Sequence, residues 1–140
     1  MNLAVVGVLE DGSNLRQGVP ANPRTALRIT LGDNVELTLT VVRPNGAYVD
    51  LTGATLTWTI KQNPAYQQYV VQAVAAQVGA DALNLKRGVA IFRIGQSDYR
   101  KTQVQPGRYG YDVVMVDSDG NRNAVVPLSP IFVEPTNLKV

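Results

Sequence analysis

The sequence predicts an all-β domain, an antiparallel β-sandwich of about seven or eight strands. Three observations carry this. Apolar and polar residues alternate with period two along several segments, the spacing that turns one strand face to a core and the other to water. Gly, Asn, Asp and Pro clusters punctuate those segments about every eight to twelve residues. The chain of 140 residues suits one domain, with enough length to bury a core without a staple.

The N-terminus, Met1 to Val8, is short and apolar, and its run stops at Glu10-Asp11. It lacks the basic start and longer apolar region of a signal peptide, so it reads as a strand or arm. Residues 9–24 hold Gly12, Gly18, Pro20 and Pro23 with little periodicity, and read as an irregular tether. The expected organisation is an N-terminal strand and arm over 1–24 and a sandwich over 25–140. A short apolar strand on such a tether either completes its own sheet or adds to the edge of a neighbour's. Leu3, Val5, Val6 and Val8 are therefore the candidate interface residues.

The next elements follow in order. Val35, Leu37, Leu39 and Val41 alternate with Glu36, Thr38 and Thr40 after a Gly32-Asp33 turn. Ala54, Leu56, Trp58 and Ile60 alternate with Thr55, Thr57, Thr59 and Lys61. Threonine suits the wet face of a strand because it is both β-branched and polar. Arg43-Pro44-Asn45-Gly46 supplies a turn between these strands, which predicts an antiparallel pair, while Asp50 to Gly53 leaves room for a second bend. Residues 63–87 read as a strand around Tyr69, Val71 and Ala73 followed by a loop.

Val89 to Ile94 is a strand with Ala90, Phe92 and Ile94 inward. Ser97 to Arg100 is a single helical turn with Ser97 as its N-cap. After Pro106-Gly107 a long strand runs from Arg108 to Asp117, and Ser118-Asp119-Gly120-Asn121 is a hairpin turn. Strands over 123–128 and 131–134 close the chain. Pro127, Pro130 and Pro135 confine that ribbon to edges or to breaks in pairing.

Composition removes much chemistry. The chain has no cysteine and no histidine, which excludes disulfides, thiolate metal sites, cysteine nucleophiles and the commonest general base. The net charge of +2 is spread along the chain, with only Lys86-Arg87 and Arg100-Lys101 adjacent, so no nucleic-acid footprint is present. No run reaches the ~20 apolar residues of a membrane span. Charged residues make up 17%, against about a quarter in ordinary globular chains, which suggests that partners cover some surface.

The remaining candidates have structural readings. Asp117, Asp119 and Asn121 begin like a calcium loop, but Arg122 and Leu128 stand where that loop needs Gly and Glu. A hairpin turn is the expectation. Asp33, Asp50, Asp98 and Asp112 form no pair that the sequence places together, so no catalytic residues, cofactor or metal are expected. Trp58 reads as the core anchor of a sandwich, and Tyr109 and Tyr111 as a tyrosine corner. Tyr66, Tyr69 and Tyr99 are the aromatics expected at the surface.

Several segments, taken in order, resemble a known family. They are Gly32-Asp33, Val41 to Gly46, Val49-Asp50-Leu51-Thr52-Gly53-Ala54-Thr55, Pro106 to Val113 and Asp117 to Gly120. Together they resemble the immunoglobulin-like domains of tailed-phage virion proteins, including the N-terminal domain of upper baseplate proteins. The resemblance covers roughly residues 28–135. It implies an immunoglobulin-like sandwich in a virion, as a capsid decoration or head-fibre protein, a baseplate component or a tail adaptor. It carries no catalytic residues. The partners it implies are further copies of the chain, as a homo-oligomer, and other capsid or tail proteins, with neither nucleic acid nor membrane. The alternative function is a carbohydrate-binding or adhesion module in which loop tyrosines stack on sugars. A hydrolase, without His or Cys, would need a carboxylate pair.

Overall fold

A computed structural model describes residues 1–9, 26–62, 71–74, 86–101 and 104–135. Eight strands and one short helix are defined there: β1 (Asn2–Val8), β2 (Leu27–Thr30), β3 (Val35–Val42), β4 (Thr55–Lys61), β5 (Val71–Val74), β6 (Val89–Ile94), α1 (Gln96–Lys101), β7 (Gly107–Val116) and β8 (Arg122–Glu134). They form two sheets, three-stranded β1-β3-β6 and five-stranded β2-β8-β7-β4-β5. This is the predicted immunoglobulin-like sandwich. Its interior pairings are antiparallel, whereas the edge strands β1 and β2 join β3 and β8 in parallel.

Period-two alternation builds the core. Val35, Leu37, Leu39 and Val41 of β3 face Leu56, Trp58 and Ile60 of β4 and Tyr111, Val113 and Met115 of β7 across the interior, and all are buried. Trp58 meets Phe92 of β6 edge to face, with ring centres 6.1 Å apart and planes at 68°. That pair joins the two sheets, as expected of a core anchor. Among the described residues Trp58 Nε1 has no hydrogen-bond partner.

β3 and β4 are not neighbours, contrary to the sequence expectation. β3 pairs with β1 and β6, and β4 with β5 and β7. The Asn45-Gly46 turn does reverse the chain: Arg43 N donates to Ala47 O at 2.8 Å, and Val49 N donates to Val41 O at 3.1 Å. The second bend then takes the chain across the sandwich. Asp50 Oδ1 accepts from Thr52 N at 3.0 Å and from Thr52 Oγ1 at 2.6 Å, Gly53 takes φ +78°, and Leu51 is buried at the crossing. Alternation specifies which face of a strand is inward; it does not name the sheet the strand joins.

β8 is one strand rather than two, with its register to β7 shifting twice. Tyr111 opposes Ser129 and Val113 opposes Val126, so Pro127 and Leu128 together face Asp112. The proline thus sits in a break in pairing, where its missing N–H costs no ladder bond. The second shift leaves Val125 without an opposite residue on β7, and Val125 and Val126 are both buried. Val125 lies against β1, where a Cβ built on Gly7 would stand 3.1 Å from the Val125 carbonyl oxygen. The bulge therefore turns Val125 towards the N-terminal strand and closes that side of the core.

Gly88, just before β6, has φ +75°. Its carbonyl accepts from Val41 N at 2.7 Å, and a Cβ there would lie 2.4 Å from the Val41 oxygen.

Candidate functional site

The four predicted interface residues divide between core and surface. β1 completes its own sheet, paired with β3 from Asn2↔Glu36 to Val8↔Val42. Val5 and Val8 are buried, Leu3 packs partly against the core, and Val6 stands 45% exposed. Of the four, Val6 points to solvent. The predicted tether falls outside the described residues apart from Leu9, whose N–H donates to Val42 O at 2.8 Å.

The aspartates are each engaged in local structure. Asp50 holds the crossing bend, and these hydrogen bonds from Thr52 set its carboxyl below the usual carboxylate range. Asp117 is lowered in the same way, first by Asn121 N, which donates to Oδ1 at 2.8 Å, with Asp119 N adding another bond at 3.0 Å. The segment 117–121 is thus the expected hairpin turn, closed by Asp117 N donating to Asn121 O at 3.0 Å. Asp33 N donates to Thr30 O at 3.0 Å within a turn. Asp112 pairs with Lys61 at 3.6 Å.

Asp98 Oδ2 accepts from Gly95 N at 2.8 Å, and Asp98 N donates to Gly95 O at 3.0 Å. Gly95, not Ser97, is therefore the N-cap of α1, with Asp98 closing half of a capping box. Serine is a preferred N-cap residue type, and reading the cap from residue type places it two residues too late.

The tyrosines differ from expectation at one position. Tyr99 is buried rather than exposed; α1 carries it onto the core, where its Oη donates to Asp33 O at 3.0 Å. Burial pushes its hydroxyl up to about 12, with Asp33 and Asp98 adding to the rise. Tyr111 is fully buried and also rises to about 12 by burial, partly offset by its hydrogen bond with Ser129. Tyr109 Oη donates to Gln105 O at 2.5 Å, four residues upstream, which is the predicted tyrosine corner. Tyr66 and Tyr69 lie outside the described residues. Tyr48, 62% exposed, was not foreseen; it follows the Asn45-Gly46 turn, where alternation gives no guide to facing.

The outer faces of the two sheets differ in charge. On the five-stranded sheet Arg28, Phe132 and Arg108 share a row, with the guanidinium carbons 4.8 and 5.9 Å from the Phe132 ring centre. Arg28 also pairs with Glu134 at 2.8 Å. The three-stranded sheet carries one exposed ion pair, Arg93 with Glu36 at 3.1 Å. Beyond that pair and Asn2, its outward residues are alanine, threonine, valine and isoleucine.

A shallow groove of about 390 Å³ runs beside Gln62, Arg108, Gly110, Leu128 and Pro130, and no carboxylate lines it among the described residues. Among the described residues no cluster of three or more acidic, His or Cys side chains is arranged to hold a metal. No helix there is long and apolar enough to cross a membrane.

No family model matches the chain, and no curated protein matches it in sequence. Similarity to solved structures is found. The N-terminal domain of phage TP901-1 ORF48 superposes with a TM-score of 0.50 at 12% identity, over 96% of this chain and 99% of that one. A chain from the complex of ICOS with ICOS-L and an anti-ICOS-L VNAR domain gives 0.42 at 12% identity, over 82% of this chain and 56% of its own length. Murine CRIg gives 0.35 at 13% identity, over 80% and 92%. At 12% identity the likeness to the phage domain establishes the fold alone, a two-sheet β-sandwich shared along nearly the whole of both chains.

Proposed function

We propose that the chain is a non-enzymatic structural component of a tailed-phage virion, acting through protein–protein interfaces with its own copies and with other capsid or tail proteins. The observation that carries this reading is the end-to-end likeness to the phage domain. The immunoglobulin-like fold alone hosts many functions, so the surface has to support the reading too. It does so in two ways. Of the candidate acids Asp33, Asp50, Asp98 and Asp112, the carboxylates of the last three are held in a bend, a helix cap and an ion pair. Among the described residues the strands of the three-stranded sheet carry one ion pair, Glu36 with Arg93, and that sheet's outer face is otherwise suited to burial against a partner. Glycan binding is supported less well, because Tyr99, one of the tyrosines that reading relies on, is buried.

The test is electron microscopy of particles from the strain that encodes the chain, labelled with an antibody raised against it. The reading expects label at one discrete position on the head or tail. Unlabelled particles, with the protein left in the soluble fraction, would overturn it.

A further inference from the structure

The outer face of the three-stranded sheet holds three rows that are open at least in part, beside a fourth, Val8 and Val42, that is buried. Ala4, Thr38 and Ile91 form one, and Val6, Thr40 and Val89 form the next. Neither row contains a charge. The third is Asn2, Glu36 and Arg93, with Arg93 Nε 3.1 Å from Glu36 Oε2 and their side chains 66% and 40% exposed. Two adjacent uncharged rows, bordered by one ion pair, make this face a candidate docking surface.

We propose that this face is a two-fold interface between two copies of the chain. The reason for choosing a second copy is the reciprocity of its charges. Glu36 and Arg93 stand side by side on adjacent strands. A two-fold axis along the strands, between β3 and β6, lays β3 of each copy over β6 of the other. Each Glu36 then meets the partner copy's Arg93 in a reciprocal quartet, and Thr38 lies over Ile91 in the row beside it. A self-complementary patch of this kind is what an isologous contact requires. The face is only three strands wide, below the ~800 Å² per partner of a standard interface. The pairing is therefore weak between isolated copies and is strengthened where an assembly holds many copies close together.

This rests on the structural role proposed above and names one partner for it. The experiment is sedimentation of the full chain from about 10 µM to about 1 mM, with thermal unfolding confirming that each variant folds. The expected result is a concentration-dependent dimer. Ile91→Lys weakens it about tenfold or more, because a charge enters an apolar contact. Val74→Lys, on the exposed face of the other sheet, leaves it unchanged. Glu36→Arg and Arg93→Glu each weaken it, and the double variant restores it. A monomer throughout, a dimer broken by Val74→Lys but not by Ile91→Lys, or a double variant no better than the singles would overturn the proposal. A monomeric chain found in particles refutes the pairing while the virion role stands; a dimeric chain absent from particles refutes the role.

Discussion

Single residues show where chain geometry leaves no freedom. Gly88 combines a left-handed backbone with a carbonyl 2.4 Å from where a Cβ would sit. Gly88→Ala should cost about 2–4 kcal/mol, measured by urea denaturation, because both the positive φ and the overlap must be relieved. An unchanged midpoint would mean that the loop moves freely. Tyr99 and Tyr111 give a second prediction. Both hydroxyls rise from 10.0 to about 12 in the folded chain, so the folded state holds these protons more tightly than the unfolded state. Their contribution is fully present below pH 10 and is lost as pH climbs from 10 to about 12. Unfolding followed across that range should show stability falling with phenolate formation, and Tyr99→Phe should reduce the slope. A flat profile would contradict the burial of these hydroxyls. The Tyr111 position was legible from alternation with Val113 and Met115. That of Tyr99 was not, because a single helical turn offers too few residues for an apolar face to show.

At the scale of elements, facing was legible and partnership was not. Val35 to Val41 and Ala54 to Ile60 were assigned the correct inward sides, yet β3 and β4 lie in different sheets. Turn chemistry accounts for the gap: Asn45-Gly46 does make a hairpin, but it returns only as far as Val49 before the Asp50 bend crosses over. The same holds for β1, whose apolar residues were legible while its choice between its own sheet and another's was not. A paired substitution tests that choice. Val5→Asp should cost about 3 kcal/mol or more, since it buries a carboxylate among apolar side chains. Val6→Lys should change stability by no more than about 0.5 kcal/mol. Equal effects in thermal unfolding would contradict the pairing of β1 with β3. Pro127 takes one of the two places expected of it, a break in pairing, whereas Pro130 stands opposite Gly110 inside the paired strand; the joining of both flanking segments into one bulged strand depends on β7, far off in sequence.

For the whole molecule, the sandwich followed from alternation, turn spacing and one buried Trp, and these are local signals. The candidate site was less legible, because a sheet face is assembled from strands distant in the chain. Ala4, Thr38 and Ile91 form a row only once the registers of β1, β3 and β6 are known. The same distribution of charge, with acids spent on turns and one sheet face left almost uncharged, suits a component that works by being held between neighbours. The most direct measurement is quantitative mass spectrometry of density-gradient-purified particles from the strain that encodes the chain. The account predicts that the chain co-purifies at a fixed copy number relative to the major capsid protein and resists removal by high salt. Its absence from particles that contain their full set of capsid and tail proteins would contradict the account.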